Sequence, residues 1–438
     1  MQAEFSERYD CIMVYQDLSR AKLIELQKQL SAEYDEYKKA GLKLDMSRGR
    51  PGKEQLDIAL DMLTDTSYVA ESGMDCRNYG NLEGLPELRE ILSGILNVPA
   101  SNILVGENAS LSLMYFCVMT AMVFGVGGCK PWSQCEKVKF LCPVPGYDRH
   151  FAITEEFGIE MINIAMDSTG PDMDTIERLV SSDDSIKGIW CVPKYSNPSG
   201  VTYSDETVRR FAALKPAAKD FRIFWDNAYC VHHLYPDSPD KLLDLYAECV
   251  KCGSQDMPYI FFSTSKITFA GGGVSAVGSS AANIAELRRR MSVRTIGADK
   301  LNQLRHVDFI KSHGGIDAIM RKHAAILRPK FEAVLDILES ELSGTGSASW
   351  TRPAGGYFIS FETLPGCAKK VVSMCRDVGV TLTSAGATYP YGRDPRDSNI
   401  RIAPSAPSAE DLKSAAKLLC LCTKLAAVEA LLAAGDNA

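Results

Sequence analysis

The sequence predicts an α/β fold with a mainly parallel sheet flanked by helices in a large domain, together with a smaller α+β domain. The first observation is that buried strand patterns alternate with helical segments between about residues 100 and 280. Strands joined by such helices pair in parallel and are covered on both faces. The second is that long helical patterns begin beyond residue 284. The 438 residues are enough for about three domain-sized units.

The N-terminal part of the chain is predicted to be helical. Leucines at helical spacing predict an amphipathic helix over Ser19–Lys39. The turn-rich sequence from Ser47 to Gly52 follows this helix. Pro86 then opens a further helix, because its fixed φ suits the first helical turn.

Strands and helices are predicted to alternate in the middle of the chain. The strands are expected at Ile103–Val105, Val138–Leu141, Glu160–Ile164, Gly188–Val192, Phe221–Trp225 and Tyr259–Phe262, and helices at Asp174–Ser181, Ser204–Leu214 and Lys241–Val250. The uncharged stretch from Asn108 to Cys129 is long enough to span a bilayer. Serines, a threonine and glycines interrupt it, which favours a fully buried helix over a membrane span.

The C-terminal third is predicted to form the smaller domain. Its elements are expected to be long helices over Glu286–Lys311 and Asp317–Leu342, strands over Gly356–Glu362 and Ile400–Ala403, and a closing helix over Ala409–Ala433. We therefore expect an N-terminal helical segment (1–50) that joins the small domain, a large ligand-binding domain (51–310) and a C-terminal small domain (311–438).

The composition is typical of a globular cytoplasmic protein. Hydrophobic residues make up 46% and charged residues 24%, which excludes disorder and fibrous repeats. A net charge of −7 without a basic run argues against nucleic-acid binding. The N-terminus lacks a secretory signal, so we expect the fourteen cysteines to be reduced thiols. The two close cysteine pairs, Cys249-x-x-Cys252 and Cys420-x-Cys422, lack a second cysteine or histidine pair at zinc-ligand spacing, and neither a metal nor a membrane is expected.

Lys266 is the first candidate functional residue. It follows a buried strand pattern, at the sheet edge where open α/β sheets bind ligands. Apolar and glycine neighbours would lower its pKa and leave a neutral amine able to form a Schiff base. The alternative is a solvated lysine in a glycine loop.

Asp226 closes another strand pattern. A buried acid is costly without a partner, and a protonated pyridine ring is a suitable one. Tyr229, three residues on, could reach the same ligand. The alternative is a helix N-cap aspartate.

Two loops complete the set of candidate segments. Asn197 precedes a proline, which restricts its backbone, although Asn-Pro is also an ordinary turn dipeptide. Val105–Ser110 leads from a strand into the uncharged helix, whose start could bind a phosphate or be an ordinary turn. It lacks the P-loop and Rossmann signatures, so ATP and NAD are poor candidates.

Taken in order, these segments resemble the class I aminotransferases of the fold-type I pyridoxal-phosphate enzymes, over nearly the whole chain. The motifs in family order are Tyr79–Arg89, Asn197-Pro-x-Gly200, Asp226-x-x-Tyr229, Ser263-x-x-Lys266 and Arg401. Three longer segments, Ser47–Pro51, Pro193–Gly200 and Ser265–Val274, look like the divergent bacterial aspartate aminotransferases called subgroup Ic.

The resemblance implies pyridoxal 5′-phosphate as the cofactor. Lys266 would hold it through a Schiff base, and its free amine would move a proton between the substrate Cα and the cofactor C4′. Asp226 would keep the pyridine nitrogen protonated, while Tyr229 and Asn197 would hydrogen-bond the ring 3′-oxygen. The remaining cofactor contacts would be Asn108, Ala109, Ser110 and Ser263 on the phosphate, Tyr147 on the ring face, and Tyr79 on the phosphate of the neighbouring subunit in a homodimer.

The resemblance also implies small-molecule substrates, with an amino group passing from aspartate or glutamate to a 2-oxo acid. Arg401 would bind the substrate α-carboxylate in a bidentate manner, with Asn197, Gly49 and Arg48 also in the substrate site. The distal carboxylate could be bound by Arg48, Arg50 or Lys194, each of which could equally be a solvated charge.

One departure from the class concerns the phosphate. Common class I members carry a phosphate-binding arginine eight residues after the lysine, where this chain has Val274. His232 and His233 could line the site, but ordinary turn or core histidines are favoured.

Two other functions are compatible with the same residues. A lyase acting on a cysteine-like amino acid would use Lys266 and Asp226 but have an apolar pocket around the substrate side chain. A non-catalytic, cofactor-binding regulatory domain is disfavoured, because the aminotransferase-like pattern begins within about 50 residues of Met1 and leaves little room for a DNA-binding module.

Overall fold

Strands and helices alternate through the middle of the chain in the computed structural model, which describes residues 14–435. The strands are β1 (Leu44–Asp45), β2 (Ile103–Val105), β3 (Lys139–Val144), β4 (Glu160–Asp167), β5 (Gly170–Pro171), β6 (Ile186–Cys191), β7 (Arg222–Asp226), β8 (Pro258–Ser263), β9 (Ser275–Gly278), β10 (Ala348–Trp350), β11 (Ile359–Thr363), β12 (Val380–Thr381) and β13 (Asn399–Ile402). The α-helices are α1 (Arg20–Ala40), α2 (Lys53–Leu56), α3 (Pro86–Leu96), α4 (Ser110–Phe124), α5 (Asp148–Glu156), α6 (Met173–Ser182), α7 (Asp205–Ala213), α8 (Leu245–Cys252), α9 (Ala281–Arg294), α10 (Lys300–Ser312), α11 (Ile316–Leu342), α12 (Ala368–Asp377) and α13 (Ala409–Gly435).

The main sheet has the strand order β2-β9-β8-β7-β6-β3-β4-β5. Strands β8, β7, β6, β3 and β4 are parallel to one another, while β9 runs antiparallel to both of its neighbours. Every residue of β6, β7 and β8 is buried, because helices cover both faces of the sheet. The predicted α/β fold is confirmed. Asp226 pairs with Phe261 in β8, so the carboxyl ends of these strands meet at one edge.

A second core lies in the C-terminal part of the chain. It contains the antiparallel sheet β10-β11-β13, the helices α12 and α13, and the N-terminal helix α1 through Leu23 and Leu30. Helix α11 contributes Ile319 to the core of the main sheet and Leu338 to the second core. The domain boundaries at residues 50 and 310 stay predictions, and residues 1–13 of the first segment lie outside the described residues.

Most predicted elements are present, and two differ. The helix predicted over Glu286–Lys311 is wrong, because the chain forms α9 and α10 with a break between them. A Cβ at Gly297 would lie 2.8 Å from the Gly80 carbonyl oxygen, and Asp299 caps α10 by accepting from the Asn302 N–H at 3.0 Å. Helix α8 begins at Leu245 rather than Lys241, since Asp244 caps it.

The uncharged stretch after β2 forms α4, most of whose residues are buried. The prediction of a helix is confirmed, but full burial is wrong, because Tyr115, Val123 and Phe124 are exposed. Among the described residues, only α13 is long and apolar enough to cross a membrane, and 61% of its most apolar window is buried. Each cysteine that the structure describes is free.

Candidate active site

Two adjacent cavities lie at the carboxyl edge of the main sheet. The smaller has a volume of about 190 Å³ and the larger about 530 Å³. Both are lined by Tyr147, Asn197, Tyr229 and Lys266. Lys266 therefore stands between them and faces both.

The sequence-predicted residues divide between these cavities. The smaller cavity is lined by the predicted residues Ala109, Ser110, Tyr147, Asn197, Asp226, Tyr229, Ser263 and Lys266. The larger is lined by the predicted residues Arg48, Gly49, Asn197 and Arg401. Sequence reasoning missed Ser265 in the first cavity and Asp148 and Arg149 in the second.

Lys266 lies in a turn directly after β8. Its Nζ is 5.0 Å from the ring centroid of Tyr229 and 6.0 Å from that of Tyr357. Burial among these rings lowers the pKa of Lys266, and the nearby Arg401 charge lowers it further, while Asp226 opposes the shift. The amine is therefore neutral at a lower pH than that of an ordinary lysine.

Asp226 ends β7 and is almost completely buried. Its Oδ2 is 3.1 Å from Nε2 of His150, and its Oδ1 has no hydrogen-bond partner within residues 14–435. His150 stacks on Trp190, with ring centroids 4.5 Å apart, and this fixes the imidazole. One carboxylate oxygen is thus anchored and the other is left to accept from a cationic N–H.

His150 was not singled out from the sequence. The sequence indicates His150 only through its position in α5, three residues after Tyr147. In the structure the centroids of the two rings are 4.9 Å apart. Burial raises the pKa of Tyr147 to about 12, so its hydroxyl stays protonated near neutral pH.

Arg401 lies in the middle of β13 and is mostly buried. Its Nη1 donates to Asp148 Oδ1 at 2.7 Å and to Asn197 Oδ1 at 3.3 Å. The guanidinium lies 4.9 Å over the ring of Phe358, and its Nε has no partner within the described chain. These contacts fix the plane of the guanidinium while leaving donors for a carboxylate.

The start of α4 lines the smaller cavity through Ala109, Ser110 and Leu111. No side chain caps this helix, so backbone N–H groups of its first turn remain available. Asn108 does not line the cavity, but its carbonyl oxygen accepts from Ser265 Oγ at 3.0 Å. Val274 is buried, and its N–H donates to Thr264 Oγ1 at 2.9 Å. Among the described residues that line this cavity, Lys266 is the one basic side chain.

Two predicted residues lie away from both cavities. Tyr79 is 84% exposed. Lys194 lines a separate cavity of about 220 Å³ beside Trp225 and Cys230. Lys194 lies in the loop after β6 and lines this separate cavity instead of the larger one that contains Arg401, so its position does not favour it as a ligand of the substrate's distal carboxylate.

Neither of the two consecutive histidines lines the cavities. His232 is buried with both ring nitrogens unpartnered in the part of the chain that the structure describes. His233 Nδ1 lies 2.7 Å from Tyr195 Oη. Both are packed as ordinary interior or turn residues.

Comparisons with known proteins give matches over nearly the whole chain. The sequence model of the family described as "Aspartate amino-transferase" matches residues 18–435. An aminotransferase-named protein of Mycolicibacterium smegmatis is 46% identical over 97% of this chain and 100% of its own length. The aspartate aminotransferase of Corynebacterium glutamicum is 43% identical over 94% of this chain and 96% of its own. The crystal structure of an aspartate transaminase of C. glutamicum superimposes with a TM-score of 0.93 at 42% identity, covering 96% of this chain and 100% of that one.

Proposed function

The chain belongs to the aspartate aminotransferase family, and from this premise we propose that it moves an amino group from L-aspartate or L-glutamate to a 2-oxo acid such as 2-oxoglutarate. The observation that carries this proposal is the position of Lys266, in the wall shared by the two cavities. One cavity suits a cofactor and the other a carboxylate substrate. Free cysteines throughout the described chain support a cytoplasmic location. Membership of subgroup Ic stays a prediction.

The residues of the smaller cavity fit pyridoxal 5′-phosphate. The unpartnered Asp226 Oδ1 suits a protonated ring nitrogen, and the Lys266 amine suits the aldehyde. Tyr229 and Asn197 would reach the ring 3′-oxygen, and Tyr147 would cover the ring. When bound, the cofactor supplies an electron-accepting ring that stabilises negative charge at the substrate Cα.

We propose that backbone N–H groups hold the phosphate where Val274 replaces an arginine. The first turn of α4 supplies N–H groups and a favourable dipole. The hydroxyls of Ser110, Ser263 and Ser265 line the same cavity. The negative charge of the phosphate would then be balanced by the helix dipole and hydroxyl groups rather than by a guanidinium.

Lys266 would accept and return the proton of the substrate Cα. Its lowered pKa provides the neutral amine that a base requires. Arg401 would hold the α-carboxylate with its free donors, while Asp148 and Asn197 keep the guanidinium in place. The Cα–H bond would then be held facing the lysine.

The distal carboxylate would be bound at the mouth of the larger cavity. Arg48, Arg50 and Arg149 line it. Arg50 lies 4.0 Å from Asp45, whereas Arg48 and Arg149 have no ion-pair partner within residues 14–435. This basic mouth favours a dicarboxylate over the cysteine-like substrate of a lyase. Arg149→Ala should raise the KM for aspartate more than the KM for alanine, and equal effects on both would contradict this assignment.

We also propose a homodimer in which Tyr79 serves the neighbouring subunit. The turn that carries Tyr79 is ordered, because Lys300 Nζ donates to the Asn78 and Gly80 carbonyl oxygens at 2.6 and 2.9 Å, yet the ring itself is exposed. Mixing a Tyr79→Ala protein with a Lys266→Ala protein should restore activity in hybrid dimers. Activity no higher than that of the two separate proteins would exclude a shared site.

The test of the main proposal is the visible absorption spectrum of the purified protein with added pyridoxal phosphate. Titration with L-aspartate should remove the band of the lysine-bound cofactor, and 2-oxoglutarate should restore it. A band that responds to cysteine-like amino acids but ignores aspartate would favour the lyase. No band at all would leave only the fold.

A further inference from the structure

A buried polar network lies beside the turn that carries Lys266. Its members are Gln55 in α2, His323 in α11 and Tyr357 just before β11, and each is at most 1% exposed. None of the three lines the smaller or the larger cavity. Buried polar side chains are costly unless they are hydrogen-bonded, so their partners indicate what the network holds.

The hydrogen bonds of the network determine which atoms donate and which accept. The Gln55 Nε2 donates to Tyr357 Oη at 2.8 Å and to His323 Nδ1 at 3.0 Å. Because Nδ1 accepts, the proton of the neutral imidazole is on Nε2, which donates to the Ile267 carbonyl oxygen at 2.9 Å. Burial lowers the pKa of His323 to about 4, so the imidazole stays neutral near pH 7.

The second branch of the network ends on the neighbouring residue. Tyr357 Oη accepts from Gln55 and donates to the Lys266 carbonyl oxygen at 3.4 Å. Two consecutive carbonyl groups, those of Lys266 and Ile267, are thus held by donors that a single glutamine orders. The orientation of both peptide groups determines where the lysine side chain leaves the turn.

Gln55 also contacts the chain next to the larger cavity. Its Oε1 accepts from the Gly52 N–H at 3.1 Å, and the chain just before Gly52 contains Arg48 and Arg50, which line that cavity. One side chain therefore contacts the segment proposed to bind the distal carboxylate and, through two partners, the lysine turn.

We propose that Gln55 is a positioning residue, which orients Lys266 through Tyr357 and His323 and joins this turn to the segment at the substrate-cavity mouth. The inference rests on the proposed function for its role in turnover, but the geometry concerns the lysine turn itself. A glutamine that served only to fill the core would have no need of two partners, Tyr357 and His323, that in turn donate to these carbonyl groups.

The opposite flank of the turn is held separately. His306 Nε2 lies 3.0 Å from Thr264 Oγ1 and 2.9 Å from Thr268 Oγ1. Because this support does not pass through Gln55, we expect the turn to stay folded without the glutamine but to lose its precise orientation.

The test uses the cofactor-loaded protein and the variants Gln55→Leu and Tyr357→Phe, with Gln303→Leu as the matched control. Gln303 is also buried, and its Oε1 accepts from the Leu85 N–H at 2.8 Å, away from the lysine turn. The first readout is the pH titration of the visible band, which reports the lysine-cofactor linkage without substrate. The second is the single-turnover rate with aspartate, measured against aspartate concentration.

Tyr357→Phe should move the midpoint of the pH titration and slow the single turnover roughly tenfold or more, since a displacement of about 1 Å in a reacting group can cost about a hundredfold. Its aspartate affinity should remain that of the wild type. Gln55→Leu should move the midpoint in the same direction, slow turnover similarly and also weaken aspartate binding through Gly52. Gln303→Leu should lower the melting temperature alone.

Wild-type pH midpoints and wild-type rates in folded Gln55→Leu and Tyr357→Phe would overturn the inference. If Gln55→Leu does not fold, Tyr357→Phe decides, because it removes a single hydroxyl. A wild-type band that ignores aspartate would refute the proposed function instead, and the substrate-free pH titration would still test the positioning role.

Discussion

Gly49 is the residue of the larger cavity at which a single methyl group should have the largest effect. A Cβ at this position would overlap the Phe358 ring, lying 2.7 and 3.1 Å from two of its carbons and closer still to a third. Phe358 is buried and lies beneath the Arg401 guanidinium at 4.9 Å and edge-on to Tyr229 at 6.3 Å. The ring therefore cannot move without disturbing the group proposed to bind the substrate α-carboxylate.

The expected loss of activity in Gly49→Ala follows from the overlap between the added Cβ and the Phe358 ring. An ordinary carbon contact of about 3.5 Å requires the ring to move by about 1 Å. Overpacking of this kind costs about 1–3 kcal/mol of stability. Because a displacement of about 1 Å at a positioned group can cost about a hundredfold in rate, Gly49→Ala should lower kcat/KM for aspartate by roughly tenfold to a hundredfold.

The assay is steady-state kinetics with aspartate, combined with thermal unfolding. Gly94→Ala is the matched control. Gly94 lies in helix α3, and a Cβ at this position meets no atom within 4 Å. It should leave kcat/KM unchanged and raise stability by about 0.5–1 kcal/mol. The double variant Gly49→Ala/Phe358→Leu should recover part of the lost kcat/KM, since the smaller side chain makes room. Wild-type kcat/KM in a folded Gly49→Ala protein would refute the reasoning.

Three further predictions concern the charged groups of the site. His150→Phe keeps an aromatic ring but removes the donor to Asp226, so cofactor affinity should fall, as measured by equilibrium dialysis; unchanged affinity would mean that the histidine does not position the carboxylate. Arg401→Gln removes a charge that lowers the pKa of Lys266, and the pKa of this lysine should therefore rise. The pH at which the amine of the apo-protein reacts with an amine reagent should move upward, and a downward movement would contradict the assigned sign. Lys194→Ala should leave the KM for aspartate at its wild-type value, because this lysine lines a different cavity.

The sequence alone determined the α/β class of the fold and indicated which polar residues follow its buried strands. Mostly apolar runs over Phe221–Trp225 and Tyr259–Phe262 predicted strands buried on both faces, and such strands run parallel. Because parallel neighbours end at one edge, Asp226 at the end of β7 and Lys266 just after β8 lie at the same edge of the sheet. Local signals of this kind, including the proline that opens α3, depend on a few adjacent residues.

Other features depended on contacts between distant parts of the chain, and only the tertiary structure decided them. Gln55 and Tyr357 are 302 residues apart, and no periodicity in either segment indicates that they meet. The same reason explains why His150 was missed and why the sequence left Lys194 open as a candidate although it lines a different cavity. The burial and partners of a lone polar side chain depend on which helix or strand packs over it, and that is fixed by the long-range assembly of the chain rather than by its local sequence.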